Sequence, residues 1–266
     1  VTTAADVAAY SRAVDDLTVL AFSDIEALLN SLDQSDPVAL REALLDLLPA
    51  AIEPYIGGSA DLAALWYEEL RNQTERARMA AVVAGATVNE AQIAAMTRRA
   101  MAPLFGKSES TVFALLAGSV QRLISNAGRD TIRTNVMRDR IRVGYARIPQ
   151  PGCCAFCSML ASRGAVYNSA SSAGAVQGRG MALGSTAGKR GGQARGVKTR
   201  GDQDLGDRFH DFCRCRVAPI FVGDSLASDV AEEHQEVYRS NIEFRGDRAI
   251  DMRATLANIR AETGRK

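Results

Sequence analysis

The sequence predicts a mainly α fold: a helical N-terminal part over residues 1–140, a small α+β module stapled by its cysteine and histidine clusters over 141–223, and a C-terminal helical tail over 224–266. Three observations carry this. Apolar residues recur at three- and four-residue steps through the first half, the mark of helices with one buried stripe. After Arg140 the period switches to alternation. All five cysteines and one of the two histidines gather in two short clusters, on either side of a glycine- and arginine-rich insert spanning 174–205.

The helices can be taken in order. Val7, Tyr10, Val14, Leu17, Ala21, Ile25 and Leu28 form one stripe on a long first helix. Asp36 before Pro37 caps a second, with proline at the first helical position. That helix carries Leu40, Leu44, Leu45 and Leu48 and is expected to kink or end at Pro49 and Pro54. Gly57-Gly58 breaks the chain, and Ser59 restarts a helix through Leu62, Leu65, Trp66 and Leu70. Another runs from Asn89 to about Pro103–Gly106, and a further one from Ser110 through Leu116, Val120, Leu123 and Ile124 towards Val136. These stripes are read as core, because burying such a face supplies most of a helix's stability.

Val143 to Ile148 alternates, is rich in strand formers and is stopped by Pro149 and Pro151. Ser158 to Ser162 predicts a short helical turn, Ala165-Val166-Tyr167 a short strand, and Arg216 to Val222 a strand leading out of the second cluster. A polar helix follows from Ser225 past His234 and Tyr238, and a last one begins near Asp247. The charged tail from Ala254 is expected to fray or reach a partner.

The two clusters read Gly152-Cys153-Cys154-Ala155-Phe156-Cys157 and His210-Asp211-Phe212-Cys213-Arg214-Cys215. Cys154 and Cys157 have the C-x-x-C spacing with which two thiolates grip one ion from a tight turn; His210, Cys213 and Cys215 offer a second grip. Soft thiolates with one imidazole favour zinc in a closed tetrahedral site. The competing readings are weaker. Buried apolar cysteines would not reproduce both spacings, and a disulfide framework suits a shorter secreted chain. A thioredoxin-like pair needs a β/α context that the preceding helices lack. Five cysteines and His210 exceed four positions. Cys153 is the expected spare, since neighbouring residues point apart, and the spacing leaves open which of Cys213 and Cys215 completes the tetrahedron.

Charge is uneven. Residues 1–128 hold 16 acids against 9 bases, and 129–266 hold 15 against 23. Arg179, Lys189, Arg190, Arg195, Lys198 and Arg200 lie among glycines with no acid between them. This composition builds no core; it suits either a solvated linker or contact with nucleic-acid phosphates, and without an interleaved aromatic it does not suit base stacking. No apolar run reaches the length of a membrane span, so no membrane partner is expected. No Ser/His/acid set can be assembled: His210 is committed to the metal, and His234, alone on a polar helix, is expected at the surface. A metal-dependent nuclease would need an open coordination position and a free base. A non-enzymatic protein is therefore expected, and the alternative that the basic insert and the metal half-sites offer is a zinc-containing nucleic-acid-binding module, ahead of a nuclease.

Cys154-Ala-Phe-Cys157-Ser-Met-Leu-Ala-Ser-Arg-Gly164, then Val166-Tyr167, and later Phe209-His210-Asp211 with Cys213-Arg214-Cys215 and Pro219, resembles the cysteine/histidine core of the phage Mu F-like family, in the version found in phages of actinobacteria. Tyr55, Leu65-Trp66-Tyr67-Glu68-Glu69-Leu70-Arg71 and Ala127-Gly128-Arg129-Asp130-Thr131 add matches upstream. The long insert between the half-sites departs from the family pattern. The resemblance implies a minor capsid or head-morphogenesis protein, inside the head of the virion and associated with portal or capsid protein, acting in head assembly or DNA ejection. The basic insert would then face packaged DNA.

Overall fold

Helix α1 (Ala4–Ser31) begins at a reciprocal cap in which the Thr3 hydroxyl accepts the Asp6 N–H and the Asp6 carboxylate accepts the Thr3 N–H. The computed structural model from which these elements are taken describes residues 2–73, 83–84, 89–105, 110–139, 143–162, 164, 211–246 and 250–264. Val7, Tyr10, Val14, Ala21, Ile25 and Leu29 of α1 are buried, so the stripe lies where the periodicity puts it. The last contact falls to Leu29, with Leu28 packed partly against the core.

The next helix corrects the sequence reading. α2 runs unbroken over Pro37–Gln73, through Pro49, Pro54 and both glycines. Asp36 caps it as expected, its carboxylate accepting the N–H groups of Val38 and Ala39. A proline inside a helix costs about 3 kcal/mol, through one lost hydrogen bond and a clash with the preceding turn. The opposing term is larger. Leu40, Leu44, Leu48, Ile52, Ile56, Ala60, Ala63, Tyr67 and Leu70 form one buried row across the supposed break, and each large side chain contributes roughly 1.5–3 kcal/mol on burial. Pro49 is half-buried and Pro54 exposed, both off that row. A break would swing half the row away from its partners.

Those partners are α1 and α4 (Ser110–Arg138), with α3 (Glu90–Met101) alongside. Asn89 caps α3, and a 3-10 turn over Ala102–Phe105 follows it. Tyr10 of α1 stacks on Trp66 of α2 with ring centroids 4.3 Å apart. Gly128 of α4 sits against the Tyr10 hydroxyl and Ser59, where a Cβ would overlap the phenol oxygen. At the far end of α4, Asp139 accepts hydrogen bonds from Arg71 Nε at 2.8 Å and Tyr67 Oη at 2.9 Å, with both ion-pair side chains buried. Burial, and then the Asp139 carboxylate, push the Tyr67 phenol above its usual range.

Beyond α4 the two expected strands pair antiparallel, β1 (Val143–Ile148) with β2 (Arg216–Phe221), from Val143 opposite Phe221 to Ile148 opposite Arg216. Both pack on α4. Thr2 is tied to the exit of β2, donating from Oγ1 to the Pro219 carbonyl and from its N–H to Asp224. One hydrophobic cluster contains Leu44, Tyr67 and Leu116 of the helices, Val143 and Ile220 of the sheet, and all five cysteines.

Three smaller elements complete the described chain, and each refines the sequence reading. α5 (Ala155–Ala161) begins three residues before the expected turn, with Cys154 as its N-cap. α6 (Leu226–Ser240) follows β2 as expected, but His234 is 4% exposed and lies 3.0 Å from Ser158 Oγ through Nδ1. That polar helix folds back on α5, so a histidine expected in solvent is buried. α7 (Met252–Thr263) starts later than Asp247, at an Asp251 cap that accepts the Arg253 and Ala254 N–H groups. Over its described residues this helix is packed: Ile259 lies with Ala155, Met159 and Leu160 of α5. The 165–167 strand and the basic insert lie outside the described residues. Among the described residues no helix is long and apolar enough to cross a membrane.

Candidate metal centre

The register of the sheet assembles the site. β1 ends at Ile148, shortly before the first cysteine cluster, and β2 starts at Arg216, directly after the second. Because Ile148 faces Arg216, antiparallel pairing delivers both clusters to the same end of the sheet. The Sγ atoms of Cys157, Cys213 and Cys215 lie within 4.8 Å of one another, and all three residues are buried. Cys157 and Cys213 stand 3.6 Å apart, sulfur to sulfur.

Each sulfur is held by its own local structure. Cys154 stands in extended backbone at the start of α5, where its Sγ accepts the Cys157 N–H at 3.4 Å. That cap turns the next helical residues inward and places Cys157 within the trio. On the other side Phe212 takes a left-handed backbone, φ 63°, unusual for a residue with a bulky side chain. Its ring lies over Gly118 of α4, where a Cβ would come within 2.6 Å of a ring carbon. Asp211 anchors the same turn by accepting from Arg122 Nε at 2.8 Å. Arg129, buried in α4, donates to the Cys213 carbonyl at 2.8 Å and to the Cys215 carbonyl at 2.6 and 3.1 Å. Arg216 is buried too and donates to Asp15 of α1 at 2.7 Å.

Three sulfurs this close cannot all ionise unaided, because each thiolate raises the cost of the next. At Cys157 the Cys154 contact pushes the thiol up, but hydrogen bonds from Cys213 and Cys215, with Arg147 nearby, outweigh it and lower it to about 6. Cys215 is pushed upward by its contacts with Cys157 and Cys213 and by burial. Cys154 is lowered to about 7, chiefly by its hydrogen bond with Cys157. Burial draws Arg129 down to about 9, against the pull of Cys213. The thiolate is thus favoured at Cys157 and opposed at Cys215, and a dication would offset that opposition.

The spacing suits such an ion. Zinc–sulfur bonds of about 2.3 Å in a tetrahedron put neighbouring sulfurs about 3.8 Å apart, close to the separation of Cys157 and Cys213. All five cysteines are free thiols. A cluster able to hold a metal is therefore present, and both Cys213 and Cys215 belong to it. Cys154 is its close neighbour but not a member of the trio; His210 lies outside the described residues, as do Arg179, Lys189, Arg190, Arg195, Lys198 and Arg200. Cys153, also buried, is not in the trio.

Sequence reasoning missed the arginines around the sulfurs. Arg129 entered only as part of a matching string, and neither Arg147 nor Arg216 bears a local mark of burial. The one available signal was positional, since both of the latter sit inside strands written in apolar residues.

No curated protein and no solved structure matches the chain. Residues 1–241 match the family model described as VG15 protein, a span that takes in α1 to α6, the sheet and both halves of the thiol cluster but not α7. The chain belongs to the VG15 protein family, a viral (phage) protein family.

Proposed function

We propose that this protein is a minor capsid or head-morphogenesis protein of a tailed phage, of the Mu F-like kind, attached to the portal or inner capsid and acting in head assembly or DNA ejection. One observation carries the reading. The thiol trio lies inside the common core, with Cys157, Cys213 and Cys215 at 0%, 3% and 2% exposure. A metal there would tie two distant chain segments together at a place buried from solvent, as a structural zinc does. Membership of a phage family supports a place in the virion. The role proposed is structural, not enzymatic, and zinc is the proposed ion.

Position within the particle tests it. Asymmetric reconstruction of purified particles should show this chain beside the portal, inside the head. Its absence from particles, or its presence only in the tail, would remove the reading.

The basic insert adds a second interaction to the proposal, favoured by the excess of bases after residue 128. Neutralising Arg179, Lys189, Arg190 and Arg195 together should weaken DNA binding uniformly across sequences and lower the salt slope by about 0.9 for each phosphate no longer neutralised. Equal binding by both proteins at low salt would leave the insert as a linker.

A further inference from the structure

Two buried arginines approach the thiol trio from different directions. Arg129 reaches it from α4 and holds the backbone carbonyls of Cys213 and Cys215. Arg147 reaches it from β1, opposite Val217 in the sheet. It is 7% exposed, and its Nη1 lies 3.3 Å from Cys157 Sγ. Its guanidinium also lies over the Phe156 ring, 6.0 Å from the centroid, so the residue before Cys157 helps to orient the group that donates to Cys157. One arginine addresses the backbone of the second half-site, the other a sulfur of the first.

Charge gives this placement its meaning. A dication held by three thiolates carries one net negative charge, and in a buried site such a charge is costly unless a counter-charge lies close by and forms hydrogen bonds to it. Resting on the zinc reading above, we infer that Arg147 is the positioning residue of the metal centre: its guanidinium supplies the counter-charge and an N–H···S hydrogen bond to Cys157 that make an anionic thiolate centre stable and slow to exchange. The hydrogen bond withdraws electron density from the sulfur, and the planar, permanently charged guanidinium keeps its direction in a way that a lysine ammonium does not.

The full chain loaded with cobalt(II) tests this, because thiolate-to-cobalt charge transfer reports electron density on sulfur directly. Arg147→Gln should move that band to lower energy relative to wild type. In the zinc form it should speed metal transfer to a chelator by about 10- to 100-fold, the usual effect of removing a group that supports a ligand. Arg147→Lys should recover part of the transfer rate, because it retains the charge. A residue that merely packs would lower the melting temperature and leave the band where it was. An unmoved band with unchanged release in Arg147→Gln overturns the inference, as does a lysine variant that releases zinc as fast as the glutamine one. If the glutamine variant does not fold, the lysine variant decides alone: an unmoved band and wild-type release overturn it. A wild-type chain that takes up no cobalt removes the metal reading itself, an outcome distinct from all of these.

Discussion

Chelating the metal from the purified full chain is expected to lower its thermal midpoint by about 10 °C or more. Structural zinc sites release about 10–16 kcal/mol on binding, and because no preformed site exists in the unfolded chain, that energy is available to folding. If only a third of it is realised, a chain of this size, at about 2–4 °C per kcal/mol, still loses about 10 °C. Cys157, Cys213 and Cys215 share one hydrophobic cluster with the helices, so the loss should reach beyond the sheet. Wild-type protein should carry about one zinc per chain; Cys157→Ser should carry much less, and Cys153→Ser should keep it. Protein isolated without metal and melting identically after chelation would end the zinc reading. A Cys157–Cys213 disulfide would then be the bond to look for, given their 3.6 Å separation.

The second large effect is expected far from the sulfurs. Asp139→Ala should cost about 3–5 kcal/mol, the usual penalty for removing one partner of a buried ion pair. Arg71 and Tyr67 both donate to that carboxylate, and the side chains of Arg71 and Asp139 are 4% and 0% exposed. The pair fastens the C-terminal end of α4 to α2, directly before β1. Chemical denaturation would measure the cost. The double variant Arg71→Met with Asp139→Leu should recover much of the loss, since an apolar replacement leaves no buried charge behind. If Asp139→Ala melts like wild type, the pair contributes nothing and the end of α4 is held by packing alone.

These two effects arise from features of very different legibility. The stripe of α1, the cap at Asp36, the helix start near Asn89, and the strands around Val143 and Arg216 follow from local rules, and the structure has them. At Pro49, Pro54 and Gly57-Gly58 the local rules allowed an end that the helix does not have, because a helix lacking one hydrogen bond per proline is still preferable to losing the register of Leu44, Leu48, Ile52 and Ile56 against α1 and α4. His234 failed for the same reason from the other side. A polar helix with one histidine looks solvated until the chain turns it onto α5, and no local pattern records that turn. The thiol trio was legible as two half-sites because cysteine spacing is local chemistry. Its arginines were not, since a buried Arg129 or Arg216 is made possible only by the carbonyls and the Asp15 carboxylate that arrive from elsewhere in the fold.

The strand pair also bears on how such a chain can change. Ile148 and Arg216 face each other across the sheet, and 67 residues separate them along the chain. Both cysteine half-sites lie within that span, close to its two ends, so the base of the loop is fixed twice: once by the ladder and once, on the reading above, by the metal. Closing a loop becomes only slowly more costly with length, about 0.6 kcal/mol for each doubling. Sequence between the half-sites can therefore be lengthened, shortened or exchanged at little thermodynamic cost, while the sheet and the sulfurs stay in place. The staple works as a cartridge mount: related chains should differ most in what they carry between Cys157 and Cys213 and least in the residues that grip it.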